Sequence, residues 1–305
     1  MILTRIEPDQ LQYLEDTAFG MAAKTKAWVT GAAGVIGSEL IRSASIWVPD
    51  WDVKGLTRED VSLLDSVAVT AAYHEQQPDV IIHCAAISRP VDCDRDPALA
   101  RDTNVGATKL LAELAADKHL IYLSTDLVYD GVKGNYVEED PANPLQLYGQ
   151  TKLAGEDAVR CIQNHTVIRT ALNYGVSPGG NASFNEQMRG ALAGGKDFNL
   201  FTDEFRCPLA TATTARVLWE MANLRVGGLY LLGGAEKVSR WQIGNALYQR
   251  WGTLPGKLRP STIAEYNGPP RPADLSMTSR RIQGLLSFQI PGFHEWLKEN
   301  PEAVL

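Results

Sequence analysis

Tyr148 and Lys152 stand four residues apart in Tyr148-Gly149-Gln150-Thr151-Lys152, downstream of Ser124-Thr125-Asp126. On a helix, side chains at that spacing project from one face. A phenol with a reference pKa near 10 exchanges protons poorly at neutral pH without help, and an ammonium one turn away favours its phenolate. The Thr125 hydroxyl would orient a carbonyl oxygen, while Ser124 turns to the other face of its strand. Such a group moves a proton to or from the oxygen of a carbonyl or alcohol. The plain alternative is a lysine stem packed over a tyrosine ring.

The catalytic reading gains from Thr30-Gly31-Ala32-Ala33-Gly34-Val35-Ile36-Gly37. Gly31, Gly34 and Gly37 follow an apolar strand and open a helix, as a dinucleotide cradle requires. Gly31 makes the tight turn, Gly34 admits the pyrophosphate, and Gly37 packs helix on sheet, with the backbone of Val35 and Ile36 facing the phosphates. A glycine-rich turn without a ligand is the alternative. No Gly-Lys-Ser/Thr follows, which disfavours a phosphate-transfer loop. Cradle and Tyr/Lys pair together describe hydride exchange between a nicotinamide and a carbonyl or alcohol, with Tyr148 and Lys152 also expected at the cofactor, where the ammonium can hold the ribose of the nicotinamide.

The choice between NADP and NAD turns on the second strand. If it spans 53–56, Thr57 and Arg58 follow it and leave room for a 2′-phosphate. If it spans 45–48, Asp50 or Asp52 would hold ribose hydroxyls and favour NAD. Asp60 and Val61 fall where an adenine-contacting loop belongs, and Cys84, Ala85 and Ala86 end the next strand beside the cofactor.

The elements that must position these residues alternate. Strands are expected at 27–30, 53–56, 80–85, 120–124 and 166–169, with helices at 35–45, 66–76, 97–116 and 151–164. That pattern specifies an α/β fold with a doubly wound, mostly parallel (Rossmann) sheet. Beyond about 172 the regularity weakens. A strand at 229–232 and a helix from Ser239 are expected, and 255–272, rich in Pro and Gly, reads as mostly loop. The resulting division is a 1–25 N-terminal extension and a 26–171 dinucleotide-binding domain completed by about 214–232. Residues 172–305 are mainly a smaller C-terminal substrate-binding lobe. Leu11, Leu14 and Phe19 could line a short helix in the extension.

Composition narrows the class. Lys plus Arg number 29 against 36 Asp plus Glu, a formal net charge of −7, so neither nucleic acid nor an anionic membrane is an expected partner. Cys84, Cys93, Cys161 and Cys207 form no CxxC pair, the N-terminus lacks an apolar signal core, and no uncharged stretch is long enough to span a bilayer. A cytoplasmic protein is expected. His83 reads as a core histidine. The other histidines are scattered without HExxH, so no metal site is expected.

TGAAGVIG, HCAA at 83–86, NVGAT at 104–108, STDLVYDG at 124–131, YGQTKLAGE at 148–156 and RPADLSMTSRR at 271–281 resemble the extended short-chain dehydrogenase/reductase superfamily. Within it they most resemble the dTDP-4-dehydrorhamnose reductase family, over about 26–298. The resemblance implies NADPH- or NADH-dependent reduction of the C4 keto group of dTDP-4-dehydro-6-deoxy-L-mannose to dTDP-L-rhamnose. Thr125, Tyr148 and Lys152 match the family's catalytic set, and Asn104 its asparagine near the nicotinamide. Substrate contacts are implied at Ser88, Thr125, Asp126, Asn173, Arg206 and Arg271, and a homodimer is compatible with the family.

The family's Gln-x-Gly-x-Pro-Thr run is replaced here by Asp203-Glu204-Phe205-Arg206-Cys207-Pro208-Leu209. That departure bears on the substrate, not the reaction class. Arg206 could grip a diphosphate with its rigid donor fork or lie solvated on the lobe. Asp126 is followed by Leu127 rather than the glutamate of dehydratases, which disfavours dehydration. Epimerases of the superfamily remain an alternative. So does an NADP-binding regulatory subunit resembling that of methionine adenosyltransferase.

Overall fold

A computed structural model describes residues 24–180 and 183–305. The expected helix around Leu11, Leu14 and Phe19 lies outside them. The first half alternates β1 (Lys26–Thr30), α1 (Val35–Trp47), β2 (Asp52–Leu56), α2 (Ser66–Gln76) and β3 (Val80–His83). Short helices α3 (Pro90–Arg95) and α4 (Pro97–Arg101) come next. A π-turn at Asp102–Gly106 leads into α5 (Ala107–Leu114), then β4 (His119–Thr125), α6 (Leu147–Arg160) and β5 (His165–Thr170).

The second half holds β6 (Asn173–Tyr174), α7 (Phe184–Ala193), β7 (Phe198–Phe201), β8 (Phe205–Arg206), β9 (Leu209–Ala210) and α8 (Thr211–Leu224). It continues with β10 (Gly228–Leu232), β11 (Val238–Ser239), α9 (Arg240–Trp251), β12 (Leu258–Ser261), α10 (Arg280–Gln283) and α11 (Phe293–Glu299).

Six strands form one parallel sheet in the order β10-β5-β4-β3-β1-β2. The two-residue alternation of strands sorts its side chains cleanly. Ala27, Val29, Ile82, Ile121, Leu123 and Ile168 pack one face against Leu40 of α1 and Val217, Leu218 and Met221 of α8. Trp28, Ile81, Leu120, Tyr122 and Val167 pack the other against Val69 and Tyr73 of α2, Leu111 of α5 and Val159 of α6. Both faces are covered, as the uninterrupted apolar runs of these strands demand.

Where the structure departs from expectation, local chemistry explains it. Residues 45–47 end α1, so the strand at 45–48 does not form, and Asp52 opens β2. The helix expected over 97–116 is broken by the π-turn at Asp102–Gly106, inside which Asn104 is buried and bonded to other segments. Helix α6 starts at Leu147, four residues earlier than 151, and so carries both Tyr148 and Lys152. The 255–272 tail contains β12, paired in parallel with β7, as well as loop. Helix α8 opens on Thr, Ala, Thr, Thr and buries nine of its residues, hiding the amphipathic period that reveals a surface helix.

Helices α7 and α9 start on capping boxes in which Ser183 pairs with Glu186 and Ser239 with Gln242. They pack around Tyr174, Met188, Leu200, Ile243, Leu247 and Phe293, a second core beside the sheet. Among the described residues no helix is long and apolar enough to cross a membrane, and no His, Cys, Asp and Glu cluster is arranged to hold a metal.

Candidate functional site

A cleft of 1210 Å³ opens at the carboxyl ends of the strands and is walled on its far side by residues of the second core region. It exceeds the roughly 300–1,000 Å³ that serves one small ligand, and can take two side by side. Its floor is the switch point of the sheet, where β1 and β3 are neighbours and their chain continuations diverge.

Gly31, Gly34, Val35, Ile36 and Gly37 form the rim there, facing Cys84, Ala85 and Ala86 after β3. Gly31 has φ +70°, and a Cβ on it would lie 2.8 Å from the Ala85 backbone. A Cβ on Gly37 would fall 2.2 Å from the Gly31 carbonyl oxygen. The turn therefore exists only with glycine at these two places. The Thr30 hydroxyl bonds His83 Nδ1 (2.6 Å) and accepts from the Ala85 N–H (3.2 Å), while His83 Nε2 reaches Thr108 (3.0 Å). Burial holds His83 neutral, its pKa pushed down to about 3, so it is the stitched core histidine expected.

Thr125 closes β4, and Tyr148 and Lys152 rise from the first turns of α6, all three on the cleft wall. The Thr125 hydroxyl donates to Asp126 Oδ1 at 3.2 Å and accepts from the Leu127 N–H at 3.2 Å. Ser124 turns the other way and donates to Glu156 Oε1 at 2.5 Å, inside a buried Glu156–Arg169 pair. The Lys152 ammonium lies 3.9 Å from the centre of the Tyr122 ring.

Burial, more than charge pairing, sets the protonation of this group. It lowers the Lys152 ammonium to about 7. Burial and then Asp126 raise the Tyr148 phenol, against the lowering effect of the Thr125 hydrogen bond. The phenol therefore lies above its ordinary value, with burial as the dominant cause. Tyr148 is held as a proton-bearing donor.

Opposite this group, Arg206, Arg240 and Arg271 converge on Glu204. The Glu204 carboxylate lies 3.1 Å from Arg206 Nη2, 3.6 Å from Arg240 Nε and 2.6 Å from Arg271 Nε. Burial pushes Glu204 up, but the three guanidiniums outweigh it and hold the carboxyl below its ordinary range. Three cations against Glu204 and Asp126 leave one positive charge in excess on a cleft wall. Arg206 is buried and lines the cleft, rather than lying solvated on the lobe. Ser88, Asp126, Asn173 and Arg271 also line the cleft. The Asn173 side chain is engaged, donating to Thr170 Oγ1 and accepting from Thr214 Oγ1.

With β2 ending at Leu56, the residues that follow it along the cleft include Thr57, Arg58, Glu59 and Val61. Two expected cofactor contacts sit elsewhere. Asp60 accepts from the Thr57 N–H (2.8 Å) and hydroxyl (2.7 Å), so it shapes the turn carrying Arg58. Asn104 is wholly buried, bonding both the N–H and the carbonyl of Ile87 and the Thr151 hydroxyl, and it props the loop after β3 from beneath. Sequence reasoning did not single out Glu204 or Arg240. Neither belongs to a local motif, and their meaning arises only when segments far apart in the chain meet.

A family profile described as RmlD substrate binding domain matches residues 25–304. The beta subunit of methionine adenosyltransferase 2 from Mus musculus is 31% identical over 290 residues, covering 89% of this chain and 86% of that protein. A probable dTDP-4,6-dihydroxy-2-methyloxan-3-one 4-ketoreductase from Streptomyces antibioticus is 32% identical over 252 residues, 80% of this chain and 84% of its own. The crystal structure of dTDP-4-dehydrorhamnose reductase from Bacillus anthracis in complex with NADP superposes with a TM-score of 0.82. That match covers 90% of this chain and 98% of the other at 21% identity, and so speaks for the fold.

Proposed function

The chain belongs to the RmlD substrate-binding-domain family of extended short-chain dehydrogenases/reductases, and on that premise we propose that it is an NADPH-dependent reductase of a 4-keto nucleotide sugar, dTDP-4-dehydrorhamnose being the first candidate. The observation that carries this reading is the meeting of Thr125, Tyr148 and buried Lys152 in the same cleft as the glycine cradle. The cradle fits a dinucleotide because backbone packing at Gly31 and Gly37 makes the turn tight, while Gly34 lines the cleft with only the Gly31 carbonyl oxygen, 3.2 Å away, near where its Cβ would stand. The bound cofactor supplies the hydride. Arg58, exposed at the end of β2, favours the 2′-phosphate form over NAD.

The residues divide the remaining work. Tyr148, kept protonated by burial, delivers its proton to the carbonyl oxygen as that oxygen gains charge. Thr125, at the end of β4, orients the carbonyl oxygen. Lys152 supplies positive charge where water is excluded and the charge counts most. The excess cation of the Arg206, Arg240 and Arg271 cluster draws the diphosphate of the substrate, with Ser88 and Asn173 on the same wall.

The 31% identity to a methionine adenosyltransferase beta subunit favours a second reading, an NADP-binding regulatory partner that reduces no sugar. The test is loss of NADPH absorbance against a panel of 4-keto nucleotide sugars. Turnover of one of them at enzymatic rates supports the reductase. Tight NADPH binding without turnover of any keto sugar hands the lead to the regulatory reading.

A further inference from the structure

Helix α6 and strand β4 meet along a double row. Lys152 and Glu156 stand one turn apart on the helix, about 6 Å of rise. Tyr122 and Ser124 are alternate residues of β4, about 7 Å apart on one face. The two spacings match, so each helical residue finds its own strand residue. The Lys152 ammonium lies 3.9 Å from the centre of the Tyr122 ring, and the Glu156 carboxylate accepts from the Ser124 hydroxyl at 2.5 Å. Gly155 permits this approach, since a Cβ there would strike the Tyr122 hydroxyl. Arg169, the register partner of Ser124 on β5, donates to the same carboxylate from Nε at 2.9 Å and Nη2 at 2.7 Å, and Arg160 adds a bond at 3.0 Å. Glu156 and Lys152 are both buried.

Lys152 gains from that carboxylate because its other neighbours bring no negative charge. Around its ammonium are Tyr122 from β4, His83 and Cys84 at the end of β3, and Tyr148 and Glu156 one turn away on either side along α6. Burial holds His83 neutral, pushes the Cys84 thiol up to about 12 and raises both phenols. None of these four is an anion at neutral pH. On the other elements packed against α6, Asp94, Arg101, Asp102, Lys109 and Glu113 are exposed, and Asp92 is paired with Arg89 and Arg95. Asp126, beyond Thr125, is paired with Arg206. Glu156 is left to oppose the burial that strips Lys152 of its proton, and it acts through dry protein, where charge counts most.

We infer that Glu156 is a positioning residue that acts through Lys152: its carboxylate, fixed by Ser124 and Arg169, keeps the proton on the buried amine into the neutral range and so keeps a cation at the cleft. The inference rests on the proposed function only for what that cation does, which is to hold the cofactor. The coupling itself belongs to the ligand-free protein.

The test follows the pH titration of Lys152 through its Cε resonance in the ligand-free protein, assigned with Lys152→Met, and NADPH affinity by calorimetry at the same pH values. Glu156→Gln keeps the shape and removes the charge, and the midpoint should fall by at least about one pH unit. The decline in NADPH affinity should move down with it. Glu156→Asp keeps the charge on a shorter side chain, and should hold the midpoint within about half a pH unit of the parent. A role confined to the fold gives the reverse order, with the glutamine variant near the parent and the aspartate variant disturbed. That order overturns the inference, and so does one midpoint common to all three proteins. Where Glu156→Gln does not fold, combining it with Arg169→Met removes both members of the pair, a replacement that buried pairs often tolerate. The midpoint should still fall, the carboxylate being the member that acts on the ammonium, and an unchanged midpoint refutes the coupling. A midpoint that falls while NADPH affinity keeps its parent pH profile upholds the coupling and removes Lys152 from the cofactor site instead.

Discussion

Tyr148 and Lys152 are both buried, yet burial acts on them in opposite senses, raising the phenol and lowering the ammonium. Burial thus drives each toward its neutral form. Tyr148→Phe keeps the ring and deletes the proton, so turnover should fall about 10²–10⁴-fold while NADPH affinity by calorimetry stays near that of the parent. Reduction at the parent rate would refute the role. For Lys152 the linkage runs as follows. Its folded value of about 7 lies below the ordinary 10.5, so between these values the unfolded chain binds more protons and the ligand-free fold gains stability as pH rises. Lys152→Met removes that buried cation. It should raise the melting temperature, most at pH below 7, and flatten the rise. The same change should weaken NADPH and abolish the decline in affinity expected as pH passes upward through 7, readable by titration at pH 6 to 9.

Among the elements, the β1–α1 turn does two jobs that different glycines separate. At Gly37 a Cβ would strike the Gly31 carbonyl at 2.2 Å, whereas at Gly34 it would stand 3.2 Å from the same oxygen and extend toward the cleft. Gly37→Ala should therefore cost folding stability, about 1–3 kcal/mol by denaturant titration, as overpacking does. Gly34→Val should leave a folded protein with NADPH affinity reduced at least about tenfold, because the branched side chain holds the pyrophosphate off the helix N-terminus. Unchanged affinity in folded Gly34→Val would remove this turn from the cofactor site. Helix α6 depends on an equally close approach. A Cβ on Gly149 would lie 2.2 Å from the Leu127 carbonyl, so the helix bearing Tyr148 seats directly on the turn that follows Thr125.

Across the whole molecule, the arginine cluster joins segments that no single element contains. Arg206 belongs to β8, Arg240 opens α9, and Arg271 lies in the stretch before α10, with Glu204 between them. Removing the central carboxylate leaves three guanidiniums facing one another in a buried place. Glu204→Gln should destabilise the fold by about 3–5 kcal/mol, the range for breaking a buried ion pair from one side. Since the folded carboxyl is held low, this contribution is present above the ordinary carboxylate range and is lost as pH falls through the folded value. Arg206→Met should instead weaken a diphosphate ligand by about 1.5–3 kcal/mol, a charge-assisted bond lost. A melting temperature unchanged by Glu204→Gln would show that the cluster is not a structural joint.

Much of this was legible without coordinates. The glycine spacing is read within one turn of chain, the strands announce themselves as apolar runs, and Tyr148 and Lys152 share a face because a helix repeats about every four residues. These are local codes, and the parallel sheet and the cleft at its carboxyl edge follow from them. The start of α6 and the break at Asp102–Gly106 escape a local reading because each is set by contacts with another segment. Position assigns Asp60 to the cofactor and resemblance assigns Asn104, but the bonds of Asp60 to Thr57 and of Asn104 to Ile87 and Thr151 turn both to structural work. Only the tertiary structure could bring Arg206, Arg240 and Arg271 onto Glu204, close Ser124 and Arg169 on Glu156, and bury Lys152 deeply enough to lower its pKa. Charge, burial and hydrogen-bond satisfaction are sums over neighbours in space, and those neighbours arrive from separate parts of the chain.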